Sequence, residues 1–542
     1  MYLVYRDIDI LIKKNGDIVN FDVNSYVYKT KTQFNKAISD LSVKHNCIEY
    51  WLTRISERNT LQSDLFLDVC RINFIESFIN QDKETLVFTN NVSIYRYFKQ
   101  HKIIKISSVS RFMFTCKAIL SDFKPYLSLI KFLVERVSFR IRYARKKYRK
   151  DLSGKVVIQT WASDNNFKLN KFIDTYHGDL ASHLRNLGKD VETWPLFYNV
   201  KDQRGAIAIL RNKNHIVMED YLNFSDYFQA IKHFYVKRYM KLGRIYIDSS
   251  DFTSVFRHYQ RKEVVEYSSL IYQFTKRIKE YSGESINFIQ NFENLIPEKA
   301  LIMGVKKYLK KSKVVGIFHT TKPNNLLCLE YADYKEFVIA PRPDKVVFNS
   351  NTFKVLFEKK FPALPSCNGV PLKRTPIRDN GHYEYNSKGV LVLFSGVVEE
   401  VDLLLSMLNN IDTDEYYFLF RMHPMNNFNI KDKYSSNNYE VVNNMPLDEV
   451  ILKVSKVISS YSAAALESAI RGRYVGLIYN PNRLLLNPFD NTKMNNYKLI
   501  SLDEELRAFL SCDSFKISPK IFFNDDLSDY SVFLEKGIAI KK

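Results

Sequence analysis

Short apolar runs and helix-like segments alternate through most of the chain. Runs rich in β-branched residues, such as KVVIQTWA at 155–162 and GVLVLFSG at 389–396, are followed by segments whose apolar residues recur every three or four positions. This alternation is typical of parallel, doubly wound sheets. A polar, proline-containing stretch at 361–386 separates two such series and is the predicted interdomain linker. We therefore predict an α/β fold in which residues 1–375 form a Rossmann-like domain with helical insertions and residues 386–542 form a second one.

The segment VISSYSAAALESAIRG, at 457–472, contains a turn rich in hydroxyl groups. Ser459, Ser460 and Ser462 lie between an apolar strand and a predicted helix. Such a turn binds anions, because the unpaired backbone N–H groups and the positive end of the helix dipole point toward the ligand. We interpret it as the pocket for the phosphate of an activated donor.

The strand FLFRMHP, at 418–424, predicts a second wall for this pocket. Arg421 and His423 near its carboxyl end can hydrogen-bond a phosphate, while Pro424 ends the strand and fixes the loop. Parallel strands end at the same sheet edge, so this wall is expected beside the serine turn. Glu467, further along the predicted helix, could accept hydrogen bonds from ribose hydroxyls or could serve only the helix dipole.

Composition narrows the choice of partners. The 542 residues carry a formal net charge of +21, with 46% hydrophobic and 14% aromatic residues. These values indicate a folded protein of two or three domains that attracts nucleic acid, anionic membranes or phosphorylated small molecules. No recognised nucleic-acid-binding module is present, so we predict no nucleic-acid partner and keep that function as an alternative. The six cysteines lie far apart without C-x-x-C spacing, which argues against disulfides and zinc and favours the cytoplasm.

Residues 126–150, YLSLIKFLVERVSFRIRYARKKYRK, predict a basic amphipathic helix. Apolar residues keep helical spacing from Leu129 to Ile141, and arginine and lysine dominate from Arg136 onward. Such a helix suits a peripheral position on the anionic inner face of the cytoplasmic membrane. The alternative is a core helix that continues into a solvated basic linker.

Several of these motifs resemble those of known transferases. The HP of His423 and Pro424, followed by the SS of Ser459 and Ser460, resembles bacterial GT-B glycosyltransferases that use CMP-activated ulosonic acids, namely sialyltransferases and Kdo transferases. The segment VISSYSAAALESAIRG also resembles the polyglycerol-phosphate transferases of wall teichoic acid synthesis. TYHGDLASHLRNLGKDV, and the pair FENLIPEKA and GIFHTT, resemble segments of surface-carbohydrate biosynthesis proteins. The resemblance implies a GT-B-like fold with two Rossmann-like domains that face each other across a cleft.

The same resemblance implies roles for individual residues. His423, Ser459 and Ser460 would contact the donor phosphate, and Glu467 its ribose. The acidic D/E-D/E-G motif that supplies the general base in sialyltransferases has no clean copy here. The nearest segments, His177-Gly178-Asp179 and Met218-Glu219-Asp220, depart from it. The candidates for the base, each with an alternative structural role, are Asp179, then Glu293 and His319.

The predicted function is glycosyl transfer from a nucleotide sugar, expected to be a CMP-linked ulosonic acid, to a bacterial surface glycan such as capsule, O-antigen or lipooligosaccharide. The acceptor would be a glycan or a lipid-linked glycan, and no cofactor is expected beyond the donor itself. No D-x-D-type carboxylate pair ends a predicted strand, so we predict a metal-independent enzyme in which fixed donors neutralise the departing phosphate. The alternative enzyme is a polyol-phosphate transferase that uses CDP-glycerol.

Overall fold

A computed structural model describes most of the chain. The described residues are 1–19, 22–79, 85–101, 105–212, 215–264, 267–372, 386–423, 428–512, 523–524 and 529–534. They form three larger sheets, one of five strands and two of six. We refer to the regions built on these sheets, in chain order, as the first, second and third units.

The first unit contains a mixed sheet with long helices packed beside it. Its elements are β1 Tyr2–Tyr5, β2 Ile10–Lys14, β3 Asp17–Ile18, α1 Asn24–Lys44, α2 Ile48–Trp51, α3 Arg54–Glu57, α4 Leu65–Ile79, β4 Thr85–Thr89, α5 Val92–His101, β5 Lys105–Ile106 and α6 Ser108–Tyr143. The strand order is β3-β2-β4-β1-β5, with β1 parallel to β4 and β5 but β2 antiparallel to both β3 and β4. The prediction of a parallel sheet for this region is therefore wrong for β2 and β3. These two strands form a hairpin at Asn15 and Gly16, which both have positive φ, as a tight hairpin turn requires.

The second unit is a parallel sheet with a large helical insertion. Its elements are β6 Val156–Ser163, β7 Phe167–Lys168, β8 Lys171–Phe172, α7 Leu180–Asn186, β9 Val191–Asn199, α8 Gln203–Asn212, α9 Phe224–Tyr239, β10 Tyr246–Ile247, β11 Ser250–Asp251, α10 Thr253–Arg261, α11 Ser268–Ser282, β12 Asn287–Asn291, α12 Ile296–Tyr308, β13 Lys313–Phe318, α13 Tyr334–Ile339, β14 Lys345–Phe348, α14 Asn351–Lys360 and β15 Ser366–Asn368. The order is β15-β14-β13-β12-β6-β9, with every pair parallel. Strands β6, β13 and β14 are buried along almost their whole length, which explains their nearly continuous apolar sequences.

The third unit is a second parallel sheet. Its elements are β16 Asn386–Leu393, α15 Val398–Asn409, β17 Tyr417–Arg421, β18 Tyr439–Val441, α16 Leu447–Leu452, β19 Val454–Ser459, α17 Ala463–Ile470, β20 Tyr474–Ile478, β21 Tyr497–Ile500 and α18 Asp503–Leu510. The order β18-β17-β16-β19-β20-β21 is the 3-2-1-4-5-6 order of a Rossmann fold. Two parallel, doubly wound sheets are thus confirmed for the second and third units. The described part of residues 1–375, for which the sequence predicts one Rossmann-like domain, contains two separate larger sheets besides the two-stranded pairs β7–β8 and β10–β11.

Two predicted segments have other bounds in the structure. The basic helix predicted at 126–150 is α6, which begins at Ser108 and ends at Tyr143. It continues through Pro125, and it stops where Arg145 N–H donates to the Asp220 carboxylate (2.6 Å) rather than to the helix. The predicted linker at 361–386 includes the short strand β15, while its residues 373–385 lie outside the described residues.

Polar contacts join the third unit to the other two. The loop after β20 docks on the first unit, where the Asn24 side chain donates to the Arg483 carbonyl (3.1 Å) and accepts from Leu485 N–H (2.9 Å). In the second unit, Asn324 N–H donates to the Asp490 carboxylate (2.7 Å). One continuous cluster of buried apolar side chains also runs through all three units. The three units are therefore packed against each other through a shared core.

Candidate active site between two parallel sheets

Both parallel sheets have a point where the strand order reverses. In the second unit this switch point lies between β6 and β12, and in the third unit between β16 and β19. In open α/β sheets, ligands bind outside the carboxyl ends of the strands at such points, because the connecting loops diverge there. The loops after β6, β12, β16 and β19 are therefore candidate ligand-binding loops.

The loop after β12 presents Glu293 on a fixed turn. The buried carboxylate of Glu298, in the first turn of α12, accepts from the backbone N–H of Glu293 (2.8 Å) and of Leu295 (3.0 Å). Asn294 between them has φ +64, a left-handed conformation that asparagine tolerates better than most residues. Burial, and next the charge of Glu293, raise the pKa of Glu298 well above its usual range. The turn thus holds Glu293 in one position by backbone bonds.

Replacing Glu298 with alanine should destabilise the protein by about 2–3 kcal/mol, because two N–H groups lose their acceptor in a buried place. The free energy of unfolding from urea denaturation would measure the loss. The matched control is Glu415→Ala, because the Glu415 side chain is exposed and makes only a 3.3 Å surface pair with Lys388. A loss no larger than that of the control would mean that Glu298 does not hold the turn.

His319 lies beside Glu293 at the end of the neighbouring strand β13. Its Nε2 is 3.6 Å from the Glu293 carboxylate, and both side chains are partly exposed. The ring of Tyr176 packs edge-on against the His319 ring, with centroids 6.1 Å apart. Burial raises the pKa of Tyr176, and the charges of Tyr198 and Glu293 add to that effect. Of the three candidates for the base, the structure brings together Glu293 and His319.

The side chain of Asp179, the first candidate, makes no contact with this pair in the described structure. It is exposed at the start of α7 and makes no capping hydrogen bond with its side chain. Its charge acts on Tyr530, whose pKa is raised first by burial and then by Asp179. The neighbouring His177 is buried, with Nδ1 3.1 Å from the Asp174 carboxylate and Nε2 3.0 Å from the Asn291 amide oxygen. His177 is therefore a satisfied core histidine that positions the loop.

Tyr461 reaches from the serine turn of the third unit to the second unit. Burial, and next the charge of Glu293, raise its pKa to about 12, while the hydroxyls of Thr321 and Thr320 act in the opposite direction. These two threonines directly follow His319. The loops after β12 and β13 of the second unit thus approach the serine turn after β19 at Tyr461. Sequence reasoning missed Tyr461, because its neighbours in space lie about 140 positions earlier in the chain.

The three serines of the turn have different environments. The Ser459 hydroxyl donates to the Leu393 carbonyl (3.3 Å), and the Ser462 hydroxyl caps α17 by accepting from Ala464 N–H (3.1 Å). Ser460 is buried, and within the part of the chain that the structure describes its hydroxyl makes no hydrogen bond. Glu467 is half-buried on α17. Of the three hydroxyls, Ser460 is therefore the one most readily offered to a ligand.

His423 lies at the same edge as the serine turn. Leu393, at the end of β16, pairs with both Arg421 on β17 and Ser459 on β19. Three residues beyond Leu393, Gly396 lies so close to the imidazole that a Cβ there would be 3.0 Å from Nδ1 of His423. The absence of a side chain at position 396 therefore lets the imidazole lie across the loop after β16.

The Arg421 guanidinium donates hydrogen bonds to backbone carbonyls of the protein itself. Its Nη1 donates to the Met445 carbonyl (2.6 Å) and weakly to that of Val442 (3.4 Å), which fixes the loop after β18. Burial lowers its pKa. Pro424 lies outside the described residues.

Aromatic side chains form a wall at the carboxyl ends of β6 and β9. Trp161 of β6 and Tyr198 of β9 pack edge-to-face near the carboxyl ends of their strands, with centroids 6.3 Å apart. Tyr198 is about half exposed and interacts with Tyr176, whose ring packs against His319. The apolar run KVVIQTWA predicts the strand, but it does not indicate that Trp161 packs against Tyr198. Among the described residues there is also no group of three or more His, Cys, Asp or Glu side chains placed to hold a metal ion.

Comparison with known proteins yields only distant structural likenesses. No family model and no curated protein match the sequence. The glycosyltransferase SnogD from Streptomyces nogalater is 13% identical, over 66% of this chain and 91% of SnogD, with a TM-score of 0.34. MurG of Acinetobacter baumannii is 9% identical over 66% and 90% (TM-score 0.33), and the wall teichoic acid polymerase TagF is 10% identical over 66% and 78% (TM-score 0.27). Similarities this weak assign no function, which therefore rests on the residues of the chain itself.

Proposed function

We propose that the protein transfers a group from a cytidine-nucleotide donor to a hydroxyl group of a glycan acceptor. The observation that carries this proposal is the approach, at Tyr461, of the loop that carries Glu293 in one sheet to the serine turn of the other. A two-substrate reaction needs such an arrangement, since each sheet can hold one substrate while the reacting atoms meet between them. A simple binding protein would need only one of the two edges.

The donor phosphate would lie at the serine turn. The Ser460 hydroxyl, the imidazole of His423 and the first N–H groups of α17 would donate hydrogen bonds to it, and Glu467 would accept from the ribose. These groups would also stabilise the negative charge that develops on the departing nucleotide. That the nucleotide departs without the help of a metal ion stays a prediction, which depends on these hydrogen-bond donors. Arg421 would act indirectly, by fixing the loop after β18 beside the pocket.

Glu293 would be the general base. In the transfer step the acceptor oxygen attacks the reacting carbon of the donor sugar, the bond from that carbon to the phosphate oxygen breaks, and CMP leaves. Glu293 takes the proton of the acceptor hydroxyl, and His319, 3.6 Å away, holds the carboxylate in place. The aromatic wall of Trp161, Tyr198 and Tyr176 would contact the apolar face of an acceptor sugar.

Two donors are candidates for this site. The first is a CMP-linked ulosonic acid, with a capsule, O-antigen or lipooligosaccharide glycan as acceptor. The second is CDP-glycerol, from which an acceptor hydroxyl would attack the β-phosphorus and again release CMP. The product separates them, because only the second adds phosphorus to the acceptor. Mass spectrometry of the product would therefore identify the donor.

Isothermal titration of the protein with CMP, CDP and UDP tests the donor site. We expect the cytidine nucleotides to bind, and Ser460→Ala and His423→Ala each to weaken binding about 10–100-fold, because a hydrogen bond to a charged group contributes roughly 1.5–3 kcal/mol. Ser511→Ala, in an exposed position after α18, is the matched control and should leave the affinity unchanged. Absence of binding by all three nucleotides, or equal affinities in the three variants, would reject the proposed site.

A further inference from the structure

Helix α6 has an apolar stripe that nothing in the described structure covers. Leucine, isoleucine, valine and phenylalanine side chains recur along it at intervals of three, four or seven positions, from Val109 to Ile141. At this spacing they lie on one face of the helix. Its central members, each more than half exposed, are Phe112, Ile119, Leu120, Phe123, Leu127 and Ile130.

This stripe is distinct from the face by which α6 packs on the protein. The buried face holds Phe114, Leu129, Phe132 and Phe139, which lie on the opposite side of the helix. An ordinary surface helix is apolar on one side only. Packing against the core of the protein therefore does not explain the second apolar face of α6.

Helix α9 extends the apolar surface sideways. Phe224, Phe228, Tyr235 and Tyr239 are all exposed and lie on one face of α9, at spacings of four, seven and four residues. The rings of Tyr126 on α6 and Tyr235 on α9 are in contact, with centroids 6.5 Å apart. The α6 stripe and this α9 face together form one exposed surface, which we call the α6–α9 face.

The charge bordering the α6–α9 face is positive. Lys117, Lys124 and Lys131 follow one edge of the stripe at intervals of seven residues. Arg142, at the helix end, and Lys146, shortly after it, are exposed and have no acidic partner among the described residues. The only acidic residues in α6 are Asp122, which pairs with Arg96 and Arg261, and Glu135, which pairs with Lys131. Among the described residues, Lys124, Arg142 and Lys146 are thus free to meet an anionic partner, while Lys117 lies near Asp7 and Asp9.

We propose that the α6–α9 face lies on the surface of an anionic lipid bilayer. Apolar and aromatic side chains would enter the interface between headgroups and acyl chains, while the bordering lysines and arginines would meet the headgroups. A second copy of the chain would present the same positive border and would supply no opposite charge, so the charge pattern favours lipid. In the described residues, no helix has the length and apolarity needed to cross a bilayer. The α6 helix would therefore lie along the surface.

Vesicle flotation of the full chain tests this proposal. We expect binding to phosphatidylcholine vesicles that contain phosphatidylglycerol and little binding to phosphatidylcholine alone. Leu120→Gln/Leu127→Gln should abolish flotation, and Lys124→Gln should weaken binding about fivefold, which corresponds to about 1 kcal/mol for each basic residue near an anionic surface. The control Leu169→Gln/Leu187→Gln also removes two exposed leucines but lies outside the α6–α9 face, and it should float like the wild type.

Thermal melts should show that all of these variants fold, since each change is at an exposed position. Flotation of the Leu120/Leu127 variant equal to that of the control would overturn the proposal. A second result would also overturn it: light scattering shows a wild-type dimer, the Leu120/Leu127 variant is monomeric, and neither of the two floats. The α6–α9 face would then be covered by a second copy of the chain. The donor-site variant Ser460→Ala should float normally, so failure of this proposal and failure of the proposed function are distinguishable.

Discussion

Glu293→Gln is expected to lower the rate of transfer by about 10²–10⁴-fold while the affinity for the cytidine nucleotide stays unchanged. Glutamine keeps the shape of the side chain but cannot take up the proton of the acceptor hydroxyl. The effect should therefore appear in kcat, and the nucleotide pocket at the serine turn should be unaffected. Release of CMP is a suitable readout, because both candidate donors leave CMP behind.

The decisive comparison is with Asp179→Asn, which makes the same chemical change at the exposed candidate. In the described structure the Asp179 side chain makes no contact with Glu293 or His319, so this variant should keep a rate close to that of the wild type. The reverse result, a fast Glu293→Gln and an inactive Asp179→Asn, would move the base to the start of α7. His319→Gln should cause a smaller loss than Glu293→Gln, because it removes only the neighbour that orients the carboxylate.

Arg58→Met is expected to cost about 3–5 kcal/mol of stability, because it leaves a buried carboxylate without its counter-charge. Arg58 follows α3 in the first unit and forms a buried ion pair with Glu336 of α13 in the second unit. After the change, the donors left to Glu336 among the described residues are the Ala332 N–H (3.1 Å) and the Ser42 hydroxyl (3.3 Å). Two neutral donors cannot replace a guanidinium.

Urea denaturation would measure this loss, with Arg244→Met as the control. Arg244 is exposed and makes only a long contact, 3.4 Å, to the Tyr246 hydroxyl, so its replacement should change stability by less than about 0.5 kcal/mol. The double variant Arg58→Met/Glu336→Leu should recover much of the loss, since it removes both charges together. A single variant as stable as the control would show that the ion pair contributes nothing to the native state.

Strong local signals explain which elements could be predicted from the sequence. The helix predicted after the serine turn is α17, Ala463–Ile470, because Ser462 caps its start and Gly472 follows its end. The hairpin of β2 and β3 was missed although the sequence carries its signal, the Asn15-Gly16 pair. The apolar run of β2 is compatible with a strand of either direction, and the turn residues alone indicate the antiparallel pairing.

The candidate site shows the limit of such reasoning more clearly. His423 and the serine turn are predicted to share a sheet edge because the strands before them are parallel. The structure agrees, since Leu393 of β16 pairs with Arg421 of β17 and with Ser459 of β19. The meeting of Tyr461 with Thr321 depends on how two sheets pack, which no periodicity encodes. For the same reason Asp179 and Glu293 look equivalent in the sequence, although only Glu293 lies beside His319.

Because one apolar cluster runs through all three units, a destabilising substitution in any of them should affect the folding of the candidate site. Domains with separate cores can unfold one at a time, whereas units that share a core gain and lose their order cooperatively. Loss of a contact that does not include the reacting groups, such as that of Arg58 with Glu336, then reduces the number of molecules in which the site is folded at all. Such variants would lower the amount of active protein while each remaining folded molecule works at its normal rate.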